Sequence, residues 1–277
     1  MKICPQCKAD NDAGYRYCRD CGHALADVPV NPSDSGMELG AEPSGVDTRQ
    51  TLAYRREGTP LKAWLHRITS AKEREEPYEL KATMTKVGRE TGDLLLPADV
   101  FLSSPHAKFY FDKSLLWVED MGSANGSFVR IGDRTPLAFG DTVVVGHQAL
   151  RLDDPDEVLE SASTGTTDGE LQTAAYGRPA ADYVACLSAL LADGTVGSRY
   201  LLDSRDWVLG RERGDIVFAR DDYVSNDHAV IRYVAGRHEV EDLGSENGTF
   251  MRVDAPRALR EGDAVMLGRQ VFVVRFE

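Results

Sequence analysis

Short runs of apolar and β-branched residues, separated by turn residues, make up most of the chain after residue 60. Typical runs are Asp-Ile-Val-Phe at 215–218, His-Ala-Val-Ile-Arg-Tyr at 228–233 and Gln-Val-Phe-Val-Val at 270–274. Asn-Gly, a pair typical of tight reversals between strands, occurs at 125–126 and 247–248. No long segment in this part of the sequence shows the 3.6-residue apolar period of a helix. The pattern predicts an all-β fold, and many short strands in about 90 residues predict a β-sandwich.

The sequence matches itself when it is shifted by 122 residues. Residues 78–152 and 200–274 are identical at 26 of 75 positions, and the alignment needs no insertion. The shared motifs are Gly-Arg-Glu at 88–90 and 210–212, Ser-x-x-His at 103–106 and 225–228, Gly-Ser-x-Asn-Gly-x-Phe at 122–128 and 244–250, and Gly-Asp at 140–141 and 262–263. A match at one constant offset indicates two copies of one domain. We place these repeats at residues 61–152 and 183–277.

Four of the five cysteines lie in the first 21 residues. They form two Cys-x-x-Cys pairs, Cys4 with Cys7 and Cys18 with Cys21, whereas Cys186 stands in an apolar run and is interpreted as a buried core residue. Two such pairs suit tetrahedral Zn²⁺, and a segment of about 25 residues is too short to fold on an apolar core alone. A redox dithiol and a pair of disulfides are the alternatives. The double motif favours a zinc ribbon at residues 1–25, with four thiolate ligands and a structural Zn²⁺.

Two segments lack any sustained apolar period. Residues 26–60 contain Pro, Gly, Ser and Asp throughout and are predicted to form a flexible linker. Residues 153–182 form a second, acidic linker that carries −7 of the formal net charge of −13, while the first repeat is neutral. The acidity of the chain is therefore concentrated between the repeats and does not oppose anion binding by them.

The composition argues against two classes of partner. A pI near 5.0 is unusual for a chain that binds nucleic acid, since such binding depends on surplus Lys and Arg. The longest nearly apolar run, residues 183–192, is too short to span a bilayer, and the N-terminus has no apolar stretch of the kind found in signal peptides. We expect a cytoplasmic protein that binds neither nucleic acid nor a membrane.

The order of motifs in each repeat resembles the forkhead-associated (FHA) domain: Gly-Arg, Ser-x-x-His, Ser-x-Asn-Gly-Ser/Thr-Phe, Gly-Asp and a terminal Leu/Val-Gly. The resemblance implies a β-sandwich whose loops at one end bind phosphothreonine peptides. It also implies that an Arg and a Ser of each repeat hold the phosphate and that an Asn hydrogen-bonds to the peptide backbone. An Arg guanidinium suits phosphate because its planar fork can donate to two oxygens at once. The predicted peptide-binding residues are Arg89, Ser103, Ser104 and Asn125 in the first repeat and Arg211, Ser225, Asn226 and Asn247 in the second.

The two predicted sites differ in detail. Family members commonly place Arg, Lys or Asn after the site Ser, where the second repeat has Asn226 and the first has Ser104. Glu246 precedes the site Asn of the second repeat and brings a negative charge near the phosphate. We expect the second site to be slightly better equipped. Some relatives carry an Arg two positions before the site Ser to bind an acidic peptide residue. This chain has Phe101 and Tyr223 there, which favours an apolar residue downstream of the phosphothreonine.

The leading hypothesis is a non-enzymatic adaptor in Ser/Thr-kinase signalling whose partners are phosphothreonine proteins, such as a Ser/Thr kinase or its substrates. The alternative is a docking scaffold in which one or both repeats ignore phosphate. A hydrolase built on Ser-x-x-His is disfavoured, because Ser and His three positions apart in an extended chain tend toward opposite faces. The acidic linker adds a candidate ligand within the chain, since phosphorylation of Thr164, Thr166, Thr167 or Thr173 would let it occupy a site in cis.

Overall fold

The computed structural model describes residues 2–5, 8, 10–11, 62–68, 77–163 and 182–277. Nearly all of its regular structure is strand, which confirms the all-β prediction. The predicted flexible linker at 26–60 lies outside the described residues, as do Cys7, Cys18 and Cys21. Near the N-terminus, β1 (Lys2–Ile3) pairs with β2 (Asp10–Asn11) in an antiparallel ribbon.

The two repeats contain the same succession of short strands. The first repeat contains β3 (Ala63–Arg67), β4 (Tyr78–Glu79), β5 (Met84–Gly88), β6 (Leu94–Leu95), β7 (Ala107–Asp112), β8 (Leu115–Asp120), β9 (Ser127–Arg130), β10 (Thr135–Leu137), β11 (Thr142–Val145) and β12 (Gln148–Asp153). The second contains β13 (Ala185–Leu190), β14 (Val196–Leu202), β15 (Trp207–Gly210), β16 (Ile216–Val217), β17 (Ala229–Val234), β18 (Arg237–Asp242), β19 (Thr249–Arg252), β20 (Arg257–Leu259), β21 (Ala264–Leu267) and β22 (Gln270–Phe276).

The strands of the two repeats are interleaved. One five-stranded sheet has the order β20-β8-β7-β5-β6, so it takes its edge strand β20 from the second repeat. The other has the order β10-β18-β17-β15-β16 and takes β10 from the first repeat. A ten-stranded sheet, β14-β13-β12-β11-β19-β9-β21-β22-β3-β4, runs behind both. The last three strands of each repeat have therefore exchanged places.

The exchange divides the structure into two β-sandwiches that differ from the sequence repeats. Module I consists of the described residues from 62 to 130 together with 253–277, and module II of 131–153 together with 182–252. The chain crosses between them after β9 and after β19, where Ile131 N–H donates to the Thr249 carbonyl oxygen at 2.9 Å and Val253 N–H to that of Ser127 at 2.8 Å. Residues 61–152 and 183–277 thus mark the repeats in the sequence, but neither range alone forms a closed sandwich.

The two main cores follow the modules and not the repeats. In module I, Leu65, Val87 and Phe109 of the first repeat pack with Val265 and Phe272 of the second, all at most 1% exposed. Module II joins strands from both repeats in the same way. Because the three-strand segments β10–β12 and β20–β22 share their apolar pattern, each fits the sandwich that the other would complete. Burial of apolar area stabilises either arrangement at about 25 cal/mol per Å².

The acidic linker begins with regular structure, contrary to its interpretation as flexible throughout. Residues Pro155–Ser163 form helix α1, with Asp156 and Glu157 in its first turn, where acidic side chains favour a helix N-terminus. Val158 packs against Tyr183, Cys186 and Leu201. This apolar contact holds the helix against the second repeat, which the acidic composition of the segment does not indicate. Residues 164–181 lie outside the described part of the chain. Cys186 is fully buried there, as expected, and burial raises the pKa of its thiol to about 11.

Candidate phosphopeptide sites

A glycine before each predicted site Arg lets two loops pack backbone against backbone. Gly88 ends β5, and a Cβ on it would lie 2.4 Å from the Thr91 carbonyl oxygen and 3.3 Å from that of Ser103. At Gly210, which ends β15, a Cβ would lie 2.0 Å from the Asn226 carbonyl oxygen. A larger residue would push the Arg-bearing loop away from the Ser-bearing loop. The Gly in the Gly-Arg motif therefore lets the Arg-bearing loop lie against the Ser-bearing loop.

Backbone hydrogen bonds join the Arg and Ser loops in both modules. Arg89 N–H donates to the Ser103 carbonyl oxygen at 3.0 Å, and Arg211 N–H donates to that of Ser225 at 2.9 Å. The Arg side chains are 37% and 33% exposed, so each is held by the loop yet accessible to a ligand. Arg211 Nη1 lies 3.8 Å from Asp222 Oδ1, on a side chain that is 95% exposed. Such an exposed ion pair is weak, and a phosphate can replace it.

A buried histidine holds each Ser loop against the following Asn-Gly turn. Ser103 N–H donates to His106 Nδ1 at 3.0 Å, so the ring proton lies on Nε2, which donates to the Gly126 carbonyl oxygen at 3.0 Å. His228 makes the same two bonds in the second repeat, at 3.0 and 3.2 Å. Both rings are fully buried, and burial lowers their pKa although the carbonyl acceptor opposes this shift. These neutral rings brace the loop, and both ring nitrogens are already hydrogen-bonded to backbone.

The Ser hydroxyl itself faces the turn that carries the site Asn. Ser103 Oγ accepts the Ala124 N–H at 3.0 Å, which leaves the hydroxyl proton for an outside acceptor. Asn125 Nδ2 donates to the Phe101 carbonyl oxygen at 2.8 Å. The second site is built alike, with Glu246 N–H donating to Ser225 Oγ at 3.1 Å and Asn247 Nδ2 donating to the Tyr223 carbonyl oxygen at 2.9 Å. The predicted Ser and Asn of each repeat therefore lie together.

An aspartate shapes the Asn-Gly turn. The Asp242 carboxylate accepts the N–H groups of Gly244 and Ser245 at 2.9 and 2.8 Å. It also accepts the hydroxyls of Ser245 and Thr249, each at 2.7 Å. Burial alone would raise the pKa of Asp242, but these hydrogen bonds outweigh it and lower the pKa. Asp120 does the same in the first repeat. The motif Asp-x-Gly-Ser-x-Asn-Gly-Ser/Thr is thus a turn organised by one carboxylate.

The residue after the site Ser plays a different part in each repeat. Ser104 Oγ accepts the Glu90 N–H at 2.5 Å, which ties it to its own Arg loop, and the Ser104–Pro105 peptide bond is cis. Asn226 Oδ1 is buried and has no hydrogen-bond partner among the described residues. Glu246 is exposed. Ser104 therefore braces the Arg loop, whereas the Asn226 side chain has a buried amide oxygen that makes no hydrogen bond among the described residues.

Each Ser loop is supported by a hairpin from the other repeat, which the sequence analysis did not anticipate. Asp99, 6% exposed, accepts the Arg269 N–H at 2.8 Å and the Gln270 amide at 3.2 Å. In the second site, Asp221 accepts the His147 N–H at 2.8 Å and the Gln148 amide at 2.7 Å. The sequence does contain a sign of this contact, because the Asp and the Gln are identical in the two repeats. That identity predicts an Asp–Gln hydrogen bond, but it does not tell whether the Gln comes from the same repeat or from the other one.

The same hairpins place a side chain over the ring that precedes each site Ser. Arg269 Cζ lies 4.0 Å from the centroid of the Phe101 ring. The His147 ring lies 4.2 Å from that of Tyr223, measured between centroids, and its Nδ1 is 3.5 Å from Asp221 Oδ1. One edge of each site is therefore contributed by the other repeat, and the two edges carry different groups.

Neither a metal site nor a membrane-spanning helix is found among the described residues. In that part of the chain, no cluster of three or more His, Cys, Asp or Glu side chains is arranged to hold a metal ion. None of the helices found there is long and apolar enough to cross a membrane. Cys4, one of the four predicted zinc ligands, follows β1 and is fully buried, while the other three lie outside the described residues.

Comparison with known families agrees with this geometry. The family model of the FHA domain matches residues 85–146 and 207–268. FhaB of Mycobacterium tuberculosis, an FHA domain-containing protein, is 32% identical over 110 residues, which cover 39% of this chain and 68% of FhaB. The chain belongs to the FHA-domain proteins. It is a tandem FHA protein, and residues 3–26 match a separate domain of unknown function, DUF7577.

Two further relatives show how far this tandem FHA protein resembles known ones. The oxoglutarate dehydrogenase inhibitor of Corynebacterium glutamicum is 30% identical over 115 residues, covering 41% of the chain and 78% of that protein. The crystal structure of the FHA domain of CT664 from Chlamydia trachomatis is 27% identical, covers 32% of this chain and 95% of that domain, and superimposes with a TM-score of 0.21.

Proposed function

We propose that this tandem FHA protein is a phosphothreonine-dependent adaptor in Ser/Thr-kinase signalling, acting without catalysis in the cytoplasm. One observation carries the proposal: Gly-Arg, Ser and Asn, separated in the sequence, converge in both modules at a place where the Arg side chain is partly exposed and the Ser Oγ accepts a backbone N–H. A phosphothreonine presents three strong acceptor oxygens and close to two negative charges. The sites match a dianion, and the histidines beside them are engaged with backbone and do not activate the serines.

Removing the site arginines tests this function directly. Charge-assisted hydrogen bonds contribute about 1.5–3 kcal/mol each, so we expect Arg211→Ala to weaken binding at the second site at least roughly tenfold. Arg89→Ala should do so at the first site, and the double variant should be weakened to the same extent at both sites. Fluorescence anisotropy with a phosphothreonine peptide library, on the full chain, gives the affinities.

The controls use charges far from the sites. Lys113 and Arg237 lie in or beside the β7–β8 and β17–β18 turns, at the opposite ends of those strands, and their replacement by Ala should leave affinity unchanged. Unphosphorylated versions of the same peptides separate this function from phosphate-independent docking. Equal capture of both peptide forms, or full binding by the double variant, would show a docking scaffold instead.

We also propose that residues 1–25 form a zinc ribbon held by Cys4, Cys7, Cys18 and Cys21. The buried Cys4, whose carbonyl oxygen accepts the Lys8 N–H at 2.9 Å in the β1–β2 turn, fits the tight knuckle that a Cys-x-x-Cys pair forms around Zn²⁺. When bound, the metal would supply folding free energy to this short segment. Elemental analysis of purified protein should find one zinc per chain, and Cys18→Ser should lose it.

The acidic linker extends the proposal to a ligand within the chain. A phosphate on Thr164, Thr166, Thr167 or Thr173 would be tethered near both sites at an effective concentration on the order of millimolar. We expect kinase treatment to reduce binding of outside peptides, and Arg89→Ala with Arg211→Ala to abolish the modified linker's protection from phosphatase. Absence of linker phosphothreonine in mass spectra after that treatment would end this part of the proposal.

A further inference from the structure

The edge of the first site carries a positive charge that its own repeat does not encode. Arg269, between β21 and β22 of the second repeat, is exposed, and its guanidinium lies over the Phe101 ring at 4.0 Å. Among the described residues, no carboxylate lies within ion-pair distance of this guanidinium. Cation–ring contact orients an arginine without consuming its hydrogen-bond donors. Arg269 is therefore positioned with its donors still available.

Asp99 fixes both partners of the contact between Arg269 and Phe101, and this places Arg269 beside the proposed peptide site. Its backbone N–H donates to Asp99 Oδ2 at 2.8 Å, and Asp99 Oδ1 accepts the Phe101 N–H at 3.0 Å. The Phe101 carbonyl oxygen in turn accepts the Asn125 amide at 2.8 Å. One short path thus links Arg269 to Asn125, the residue proposed to hydrogen-bond to a peptide backbone. The guanidinium covers a face of Phe101, so this edge presents a positive charge as well as an apolar ring.

The second site has a different group at the matching position. His147 lies over Tyr223, and the shift of 122 residues relates these two residues to Arg269 and Phe101. His147 Nδ1 is 3.5 Å from Asp221 Oδ1, so a carboxylate already faces its ring. The two sites therefore share their Arg, Ser and Asn but carry different groups at one edge, a guanidinium at the first and an imidazole at the second.

We propose that Arg269 of the second repeat selects peptides with an acidic residue beside the phosphothreonine at the first site, and that the second site lacks this preference because His147 stands in its place. The inference rests on the proposed phosphopeptide binding. It assigns the specificity of the first site to a side chain of the second repeat, which reaches it through the strand exchange. The two sites of one chain thereby accept different ligands.

The test uses the full chain with one site silenced. In the Arg211→Ala background, two phosphothreonine peptide sets are compared by fluorescence anisotropy: one with Asp at the positions after the phosphothreonine and one with Ala there. We expect the Asp set to bind about fivefold more tightly, as for an ion pair of about 1 kcal/mol. Arg269→Gln should remove this difference by lowering the affinity for the Asp set. The substitution keeps the backbone N–H that bonds to Asp99.

Reciprocal variants supply the controls. In the Arg89→Ala background, where the second site remains, Arg269→Gln should change nothing and His147→Arg should create a preference for the Asp set. If Arg269→Gln affects the second site instead, or leaves the Asp preference of the first site intact, the inference is wrong. Failure of the Arg211→Ala chain to bind even the Ala set would overturn the proposed function of the first site as well, and so is a distinct result.

Discussion

Two buried imidazoles make the loops of this protein sensitive to acid. His106 and His228 accept a backbone N–H at Nδ1, so a second ring proton would break that bond inside a closed core. Burial lowers the pKa of both below the ordinary 6.5. At a pH between the folded-state pKa and the unfolded-state pKa of each ring, the unfolded chain binds a proton that the folded chain does not. The stability that depends on these rings is therefore fully present above about pH 6.5 and falls as the pH drops below that value.

This linkage predicts a melting temperature that declines from about pH 7.5 to about pH 5.5, measured by scanning fluorimetry across that range. Replacing both histidines by Gln should lower stability at pH 7.5 and weaken the pH dependence, and the part that remains comes from His238, whose pKa burial lowers to about 4. His66 is exposed on β3, and its replacement by Gln should leave the slope as in the wild type. A wild-type melting temperature that does not change with pH would contradict the role of the buried rings.

At the scale of residues, the sequence predicts the local geometry of the site loops well, because each motif meets a packing or hydrogen-bonding need close to it in the chain. Gly88 and Gly210 are needed where two backbones touch, and the carboxylates of Asp120 and Asp242 organise turns within seven residues of themselves. Such needs leave a pattern that can be recognised in one repeat alone. Arg269 leaves no such mark, because its role depends on a ring 168 positions earlier in the chain.

At the scale of elements, the turn between β18 and β19 depends on one side chain. The Asp242 carboxylate accepts four hydrogen bonds there, so Asp242→Ala would leave several donors unsatisfied. We expect a loss of about 2–4 kcal/mol in the free energy of unfolding, with weaker phosphopeptide binding at the second site. Chemical denaturation measures the first effect. As a control, Asp112→Ala at an exposed hairpin should lower the free energy of unfolding by well under about 1 kcal/mol. Equal losses in the two variants would contradict the role of Asp242 in organising the turn.

The strands themselves follow from their alternating and apolar runs, but their partners do not. Leu137 and Leu259, Val143 and Val265, and Gly146 and Gly268 occupy equivalent positions of β10–β12 and β20–β22. Each three-strand segment therefore meets the same apolar surface in either sandwich, and local sequence cannot decide between them. The helix at 155–163 was not predicted for a related reason, since the apolar residues that it packs against belong to the second repeat.

At the scale of the whole molecule, the exchange can be detected by cross-linking. Pro136 of β10 lies opposite Glu239 of β18 in an antiparallel pair, a spacing that a disulfide can span. Pro136→Cys with Glu239→Cys should therefore form a cross-link under mild oxidation, found by peptide mass mapping. Without exchange, Pro136 would instead face Trp117, the position that Ala258 faces in this structure. Cross-linking of Pro136→Cys with Trp117→Cys, and not with Glu239→Cys, would refute the exchanged arrangement.

The pairing of β3 with β22 determines which part of the molecule a stretching force would open first. Ala63 lies opposite Phe276, and Glu277 N–H donates to the Lys62 carbonyl oxygen at 3.2 Å, so the two ends of the tandem unit are side by side. Tension applied across residues 62 and 277 would act on the open end of an antiparallel ladder and part its hydrogen bonds one after another. Peeling β22 removes a strand of the second repeat from the sandwich that carries Arg89. A pull on this tandem would therefore release the ligand of the first site before that of the second.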